Sequence, residues 1–178
     1  IDANAYGWRY TDPSKREEIE ARGVEVRSSP DGRIAYAEGA YARKSCDNGE
    51  TWQYKELDIP SQGLIMTYHT PSTLLRYDEN TLMRAVYGRP EANRYFYESW
   101  LLRTVDNGEN WTWHTIGSDP DGKVGFGETA LVKAANGDVI AMMRSEPPHK
   151  WKNLYMARST DKGATWSDPV DTGIHGHP

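Results

Sequence analysis

Glu128 and Arg144 are the residues of this chain whose types and placement are best suited to chemistry. They stand near the ends of the segment GFGETALVKAANGDVIAMMRSE, with the turn signal NGD at 136–138 between them. A hairpin through that turn brings Glu128, at the start of one strand, and Arg144, at the end of the next, to a common mouth. A carboxylate there can take a proton or stabilise a developing positive charge, and a guanidinium offers a two-pronged fork to a carboxylate. The alternative is an ion pair across the hairpin mouth that serves stability alone.

Further candidates lie where strands begin or in the longer connections. His69 stands in YHTPS, and His175 and His177 in GIHGHP. A histidine at such a position can donate to a hydroxyl or act as acid or base, although a lone histidine is also commonly a packed or solvated bystander. His175 and His177 form an H-x-H pair without further ligands at suitable spacing, so neither a metal nor a cofactor is expected. Arg89 and Arg94 in YGRPEANRYFYESW, and Trp151 in EPPHKWKN, fall in the long loops, where Tyr95, Tyr97 or Trp151 could stack on a flat ligand face. A solvated loop with incidental aromatics fits the same residues.

The elements that must position these residues show themselves by repetition. SCDNGETW (45–52), TVDNGENW (104–111) and STDKGATW (159–166) share one outline at a period of roughly 55–60 residues. Before each box come three short apolar alternations, such as STLLRY, TLMRAVYG and SWLLR, and after its Trp a fourth begins, such as TWHTIG. Four strands joined by tight turns, repeated, are the pattern of antiparallel propeller blades. In each box the glycine (Gly49, Gly108, Gly163) supplies a left-handed turn residue, and the aspartate (Asp47, Asp106, Asp161) accepts from the turn's own N–H groups. The tryptophan (Trp52, Trp111, Trp166) starts the fourth strand and is expected to bury its ring under the turn. The box aspartates are therefore structural.

Composition limits the partners. The 178 residues carry a formal charge of −5, which disfavours nucleic acid or an anionic membrane surface. The aromatic 11% consists of seven Trp and eleven Tyr against two Phe, a bias toward strands, turn anchors and sugar-binding surfaces. The single cysteine, Cys46, leaves the redox compartment open. No apolar run reaches the ~20 residues needed to span a bilayer. SKREEIEARG at 14–23 reads as a short helix with Ser14 as its cap and a wet, charged face. NWT at 110–112 matches a glycosylation pattern, but Asn110 belongs to a box turn.

S-x-D-x-G-x-T-W is the Asp-box, or BNR repeat. Three spaced copies resemble the sialidase (neuraminidase) superfamily of six-bladed β-propellers, and the likeness covers about Gly23 to Pro178. It implies an all-β propeller of four-stranded antiparallel blades, of which about three are present: 23–60, 61–118 and 119–173. Residues 1–22 would then be a linker or the end of a preceding blade, and 174–178 the start of another. It also implies a carbohydrate partner, an extracellular or periplasmic setting, and a site on the face opposite the boxes. There Glu128 matches the glutamate that acts as base toward a nucleophilic Tyr, and Arg144 matches an arginine that clamps the substrate carboxylate. The acid Asp, the nucleophilic Tyr and the remaining arginines have no assignable place in this chain. The expectation is thus of a fragment of an exo-glycosidase acting on terminal, acidic sugars and inactive on its own, with a non-catalytic glycan- or protein-binding propeller as the alternative. Open sheet edges would favour a homodimer or another edge-paired oligomer.

Overall fold

A computed structural model describes residues 1–5, 9–36, 39–57, 64–69, 73–90, 96–146 and 153–176, with the backbone alone for 4–5 and 64–69. Apart from one helical turn after Asp12 and the short helix α1 (Arg16–Glu20), its regular structure is antiparallel sheet.

The central unit is a blade whose innermost position is shared by β7 (Leu64–His69) and β8 (Leu75–Arg76), followed by β9 (Leu82–Pro90), β10 (Glu98–Thr104) and β11 (Thr112–Gly117). The next is β12 (Phe126–Lys133), β13 (Val139–Ser145), β14 (Asn153–Ser159) and β15 (Val170–His175), in that order. The period-two alternation of β9 and β10 explains their packing. Met83, Ala85 and Leu101 face Phe126, Val139, Ala141, Met143 and Ala157 of the last blade. Val86, Trp100 and Leu102 face Ala3, Ala40 and Ala42 of the first unit. Each fully buried Leu, Val or Met contributes about 1.5–3 kcal/mol, so one strand pair ties all three units together.

The first unit departs from the expected order. β4 (Ile34–Tyr36) and β5 (Ala40–Lys44) form a broken central strand, flanked along one side by β1 (Asp2–Ala5) and β2 (Arg9–Thr11) in a single register, Asp2 facing Arg43 and Thr11 facing Ile34. β3 (Val26–Ser28) pairs with β4, and β6 (Gln53–Leu57) with β5. Residues 1–22, read as a linker or the end of a preceding blade, supply strands β1 and β2, and Ala3 is small enough to sit fully buried against Ala40 and Ala42. The helix lies in the connection between β2 and β3, with Ile19 buried on Val24 and Ile34. Its lead-in turn is capped by Asp12, which accepts from Ser14 N at 2.9 Å, rather than by Ser14 as expected.

All three boxes form the same clasp. Ser45, Thr104 and Ser159 each bond their aspartate at 2.7, 2.7 and 2.8 Å and accept from the box glycine N–H at 2.8, 3.0 and 2.8 Å. The aspartates also accept from the N–H of Thr51, Asn110 and Thr165, each at 2.9 Å. Two consecutive residues are left-handed, not one: Asn48, Asn107 and Lys162 precede the glycines with φ of 58°, 54° and 59°. Trp111 and Trp166 are partly buried against the cores between units, whereas Trp52 is 47% exposed, so the expected burial is met in part at two boxes and not at the first. A latch recurs between units: Lys55 Nζ donates to Glu109 O at 3.0 Å, and His114 Nδ1 approaches Ala164 O at 2.9 Å. A carbonyl only accepts, so Nδ1 carries a proton there.

Candidate functional site

The boxes close the ends of β10 and β14, where Thr104 faces Leu82 and Ser159 faces Val139. Glu128 and Arg144 lie at the opposite end of their blade. The sequence GFGE builds this end. A Cβ on Gly125 would come within 3.0 Å of the Tyr97 backbone N, and one on Gly127 would touch the Tyr87 ring at 4.0 Å. Glycine at 125 lets the last blade approach the central one, whereas the 4.0 Å at Gly127 is ordinary contact; Phe126 between them points into the core. Phe126 N then bonds Tyr97 O at 2.8 Å, and Glu146 N bonds Gly125 O at 2.9 Å.

A bulge aims the carboxylate. Phe126 faces Ser145 and Thr129 faces Met143, so Gly127 and Glu128 together stand opposite Arg144. The buried Thr129 hydroxyl fixes the bulge by donating to Gly127 O at 2.9 Å, which leaves Ser99 as the donor in their 2.6 Å contact. Arg144 Nη1 donates to both Glu128 oxygens at 2.9 and 2.8 Å, and Nη2 lies 3.2 Å from Glu146 Oε1. The three side chains are 18–29% exposed. Burial opposes the charge on Arg144, but the Glu128 hydrogen bond and the charges of Glu128 and Glu146 outweigh it and hold its pKa above the ordinary arginine value. Its buried Nε has no hydrogen-bond partner.

Beside this trio the central blade presents Tyr87, Arg89 and Tyr97. Arg89 Nη2 donates to the Tyr97 hydroxyl at 3.0 Å, and the guanidinium carbon sits 4.6 Å from the centre of that ring. The Tyr97 ring meets Tyr87 edge-on at 5.3 Å. Ser118 donates to Glu98 at 2.7 Å nearby on the same blade.

The structure thus brings Glu128, Arg144 and Arg89 to one end of adjoining blades. His69 ends β7 opposite Val86 in the backbone ladder. His175 does not begin a new blade: it ends the edge strand β15 opposite Asn153 of β14, three strands away from Glu128, and is exposed. Arg94, Tyr95, Trp151 and His177 lie outside the described residues. Among the described residues no group of three His, Cys, Asp or Glu could hold a metal. Sequence reasoning passed over Glu146 and Tyr87. Their signal was the two-residue spacing from Arg144 and Arg89, which places such pairs on one strand face.

The family model of the BNR repeat-like domain matches residues 24–175. No curated protein matches the sequence. Among solved structures, a protein of unknown function from Dyadobacter fermentans matches with a TM-score of 0.68 and 24% identity over 97% of this chain and 47% of its own. The intramolecular trans-sialidase of Ruminococcus gnavus matches at 0.56 and 24% over 82% of this chain and 29% of its own. An α-L-arabinofuranosidase of Fusarium graminearum matches at 0.53 and 18% over 96% and 53%. The chain therefore spans about half or less of the length of these proteins. At such identities the likeness is one of fold, a β-propeller.

Proposed function

This chain belongs to the BNR repeat-like domain family, and on that premise we propose that the end of its blades carrying Glu128 and Arg144 is a carbohydrate site of a glycoside hydrolase. The finer reading is an exo-glycosidase acting on terminal, acidic sugars. The observation that supports it is a carboxylate aimed by a bulge and held through both oxygens by an arginine, at the end of the blade away from the structural boxes. So held, Glu128 cannot rotate away from a bound sugar ring. It stands ready to take a proton from a phenol or to stabilise an oxocarbenium-like transition state, and Arg144 and Glu146 keep its orientation.

A second reading has its own support, since the two bonds from Arg144 occupy both oxygens of Glu128 as a static ion pair would. A non-catalytic glycan-binding propeller would need nothing more. The full-length protein, incubated with fluorogenic sialosides and arabinofuranosides, separates the two. Hydrolysis that falls by about 10²–10⁴-fold in Glu128→Gln supports catalysis. Absence of turnover at every pH, with glycan binding retained, leaves the binding reading.

A further inference from the structure

We propose that a second copy of this chain covers the two outer sheet faces of the molecule, the last blade of each copy packing on the first unit of the other to close a ring. Among the described residues, the large apolar side chains that stand 47–57% exposed avoid the central blade, which is covered on both sides and shows only Val105 of its box turn. The first unit shows Tyr10, Trp52 and Tyr54, and the last blade shows Val132, Val170 and Ile174.

The last blade presents a face that the chain already uses once. Met156 precedes Ser159 by three residues, as Leu101 precedes Thr104. Ser159 faces Val139 and Thr104 faces Leu82, so Ile140 and Met142 hold the places of Met83 and Ala85. Met83, Ala85 and Leu101 are the side chains by which the central blade grips the last one. Their counterparts alternate with the buried Val139, Ala141 and Ala157, so they lie on the outer face, only partly buried, with Val132 and Val170 opposite them in the ladder.

The first unit presents the matching face. Trp111 lies against the core between the first and central units, and Trp166 against the core between the central and last. Trp52 holds the same place in its box but turns outward, where the guanidinium carbon of Arg43 lies 4.9 Å from its ring centre. Tyr54, opposite Arg43 in the ladder, stacks on Tyr41 at 5.2 Å. A polar contact extends the match. The residue before each box hydroxyl reaches the next box: Lys44 Nζ donates to Glu109 Oε1 and Arg103 Nε to Lys162 O, both at 2.7 Å. Arg158 holds that position in the last blade, its side chain half exposed beside Asp138. In the ring it would donate to Asn48 O of the second copy, the counterpart of Lys162 O. The latch does not extend, because Pro169 stands three residues after Trp166, where Lys55 and His114 follow their tryptophans and donate. The joint between copies is therefore weaker than those within the chain.

Strands of seven residues, at about 3.3 Å per residue and about 4.8 Å apart, give a four-stranded face of roughly 400 Å². Two such joints bury roughly 1,600 Å² in all, the size of a standard stable interface, and a two-fold axis makes them identical. Three units from each copy fall within the range of about four to eight blades in closed propellers. Arg144 follows Met142 on this outer face with Glu128 bonded to it, so the second copy would also wall their site. The pairing itself does not depend on what that site binds.

Sedimentation velocity of the folded chain over a range of concentrations tests this. The expected limiting mass is twice the 20.2 kDa of one chain. Val132→Glu and Tyr54→Glu each place a charge on one of the two faces at an exposed position, and each should weaken association at least about tenfold. Circular dichroism confirms that both variants fold. If Val132→Glu alone weakens it, last blades pair with each other; if Tyr54→Glu alone does, first units do; either result overturns the ring. Masses that climb past two copies mean an open filament and overturn it as well. A monomer at every concentration removes the second copy as occupant and leaves both faces to further segments of a longer chain.

Discussion

The two ends of these blades treat their polar groups in opposite ways. At the box end Asp47, Asp106 and Asp161 accept from a hydroxyl and from backbone N–H groups within their own turns, which holds their carboxyls down at about 2. At the other end Arg89 and Arg144 each keep a buried Nε–H without an acceptor. Saturated carboxylates have nothing left to give a ligand; unfilled donors do. Trp166 is the exception at the box end. Its counterparts donate to Gly49 O and Gly108 O at 3.1 Å, but Trp166 packs on the core between blades and its Nε1 is left without an acceptor. Acidic residues repeated through a sequence can thus be its least reactive groups.

The sharpest test of the structural end is Gly163→Ala. Its φ is +81°, and an added Cβ would sit 2.7 Å from Leu101 Cδ2 and 3.3 Å from Met83. Left-handed strain of about 1–2 kcal/mol and overpacking of about 1–3 kcal/mol add to a loss of about 2–5 kcal/mol. Gly49→Ala carries the strain alone, about 1–2 kcal/mol, because its nearest neighbour is its own Trp52 at 3.9 Å. Urea unfolding of both variants measures the difference. Equal losses would show that the third box is no more tightly held than the first. Ligand binding per folded molecule should be unchanged in either variant, since neither touches the other end.

Gly125→Ala turns the comparison round. The added Cβ meets backbone at Tyr97, which cannot rotate aside, so β12 must retreat and lengthen the Phe126–Tyr97 bond. The expected cost is about 1–3 kcal/mol, no more than that of Gly163→Ala, yet glycan binding should fall at least tenfold because Glu128 moves with β12. Binding that survives in Gly125→Ala would mean that the close approach of the two blades serves packing alone.

How much of this was legible in the sequence follows from the physics of each element. The boxes announced themselves because a left-handed turn restricts residue choice and a Trp marks the strand that follows. From their spacing the strands of the central and last blades, and the end opposite the boxes, could be placed. The first unit was not legible: the apolar side of β1 includes Ala3, whose small size gives a weak alternation, and its pairing with β5 is long-range. The Glu128–Arg144 pair could be found from the two ends of a hairpin. Its third member, Glu146, carried a signal in its two-residue spacing from Arg144, but such a spacing alone does not separate an ion pair from two solvated charges. The different states of Arg89 and Arg144 were hidden, since which neighbouring group a guanidinium bonds is decided by the folded geometry and not by residue type.

Acid should reveal the contrast between the ends most gently. The box aspartates lie below their ordinary value of 3.8, at about 2, owing chiefly to hydrogen bonds from Thr51 to Asp47, from Asn110 and Thr104 to Asp106, and from Thr165 to Asp161. A carboxyl with a lowered folded-state pKa contributes stability that is fully present above its unfolded value, and that contribution is lost as pH falls toward the folded one. The window is therefore about pH 4 down to about 2, where the unfolded chain binds protons that the folded boxes refuse. Stability from urea midpoints should hold steady above that window, as far as these groups are concerned, and decline within it. Asp47→Asn, made in the first and most exposed box, should flatten the decline by one proton's worth of slope, and Asp161→Asn by a similar amount despite its more crowded setting. If the slope between pH 4 and 2 is the same in both variants as in the parent, the clasps do not hold their carboxylates as the geometry requires. The inertness assigned to the box end would then fall with them.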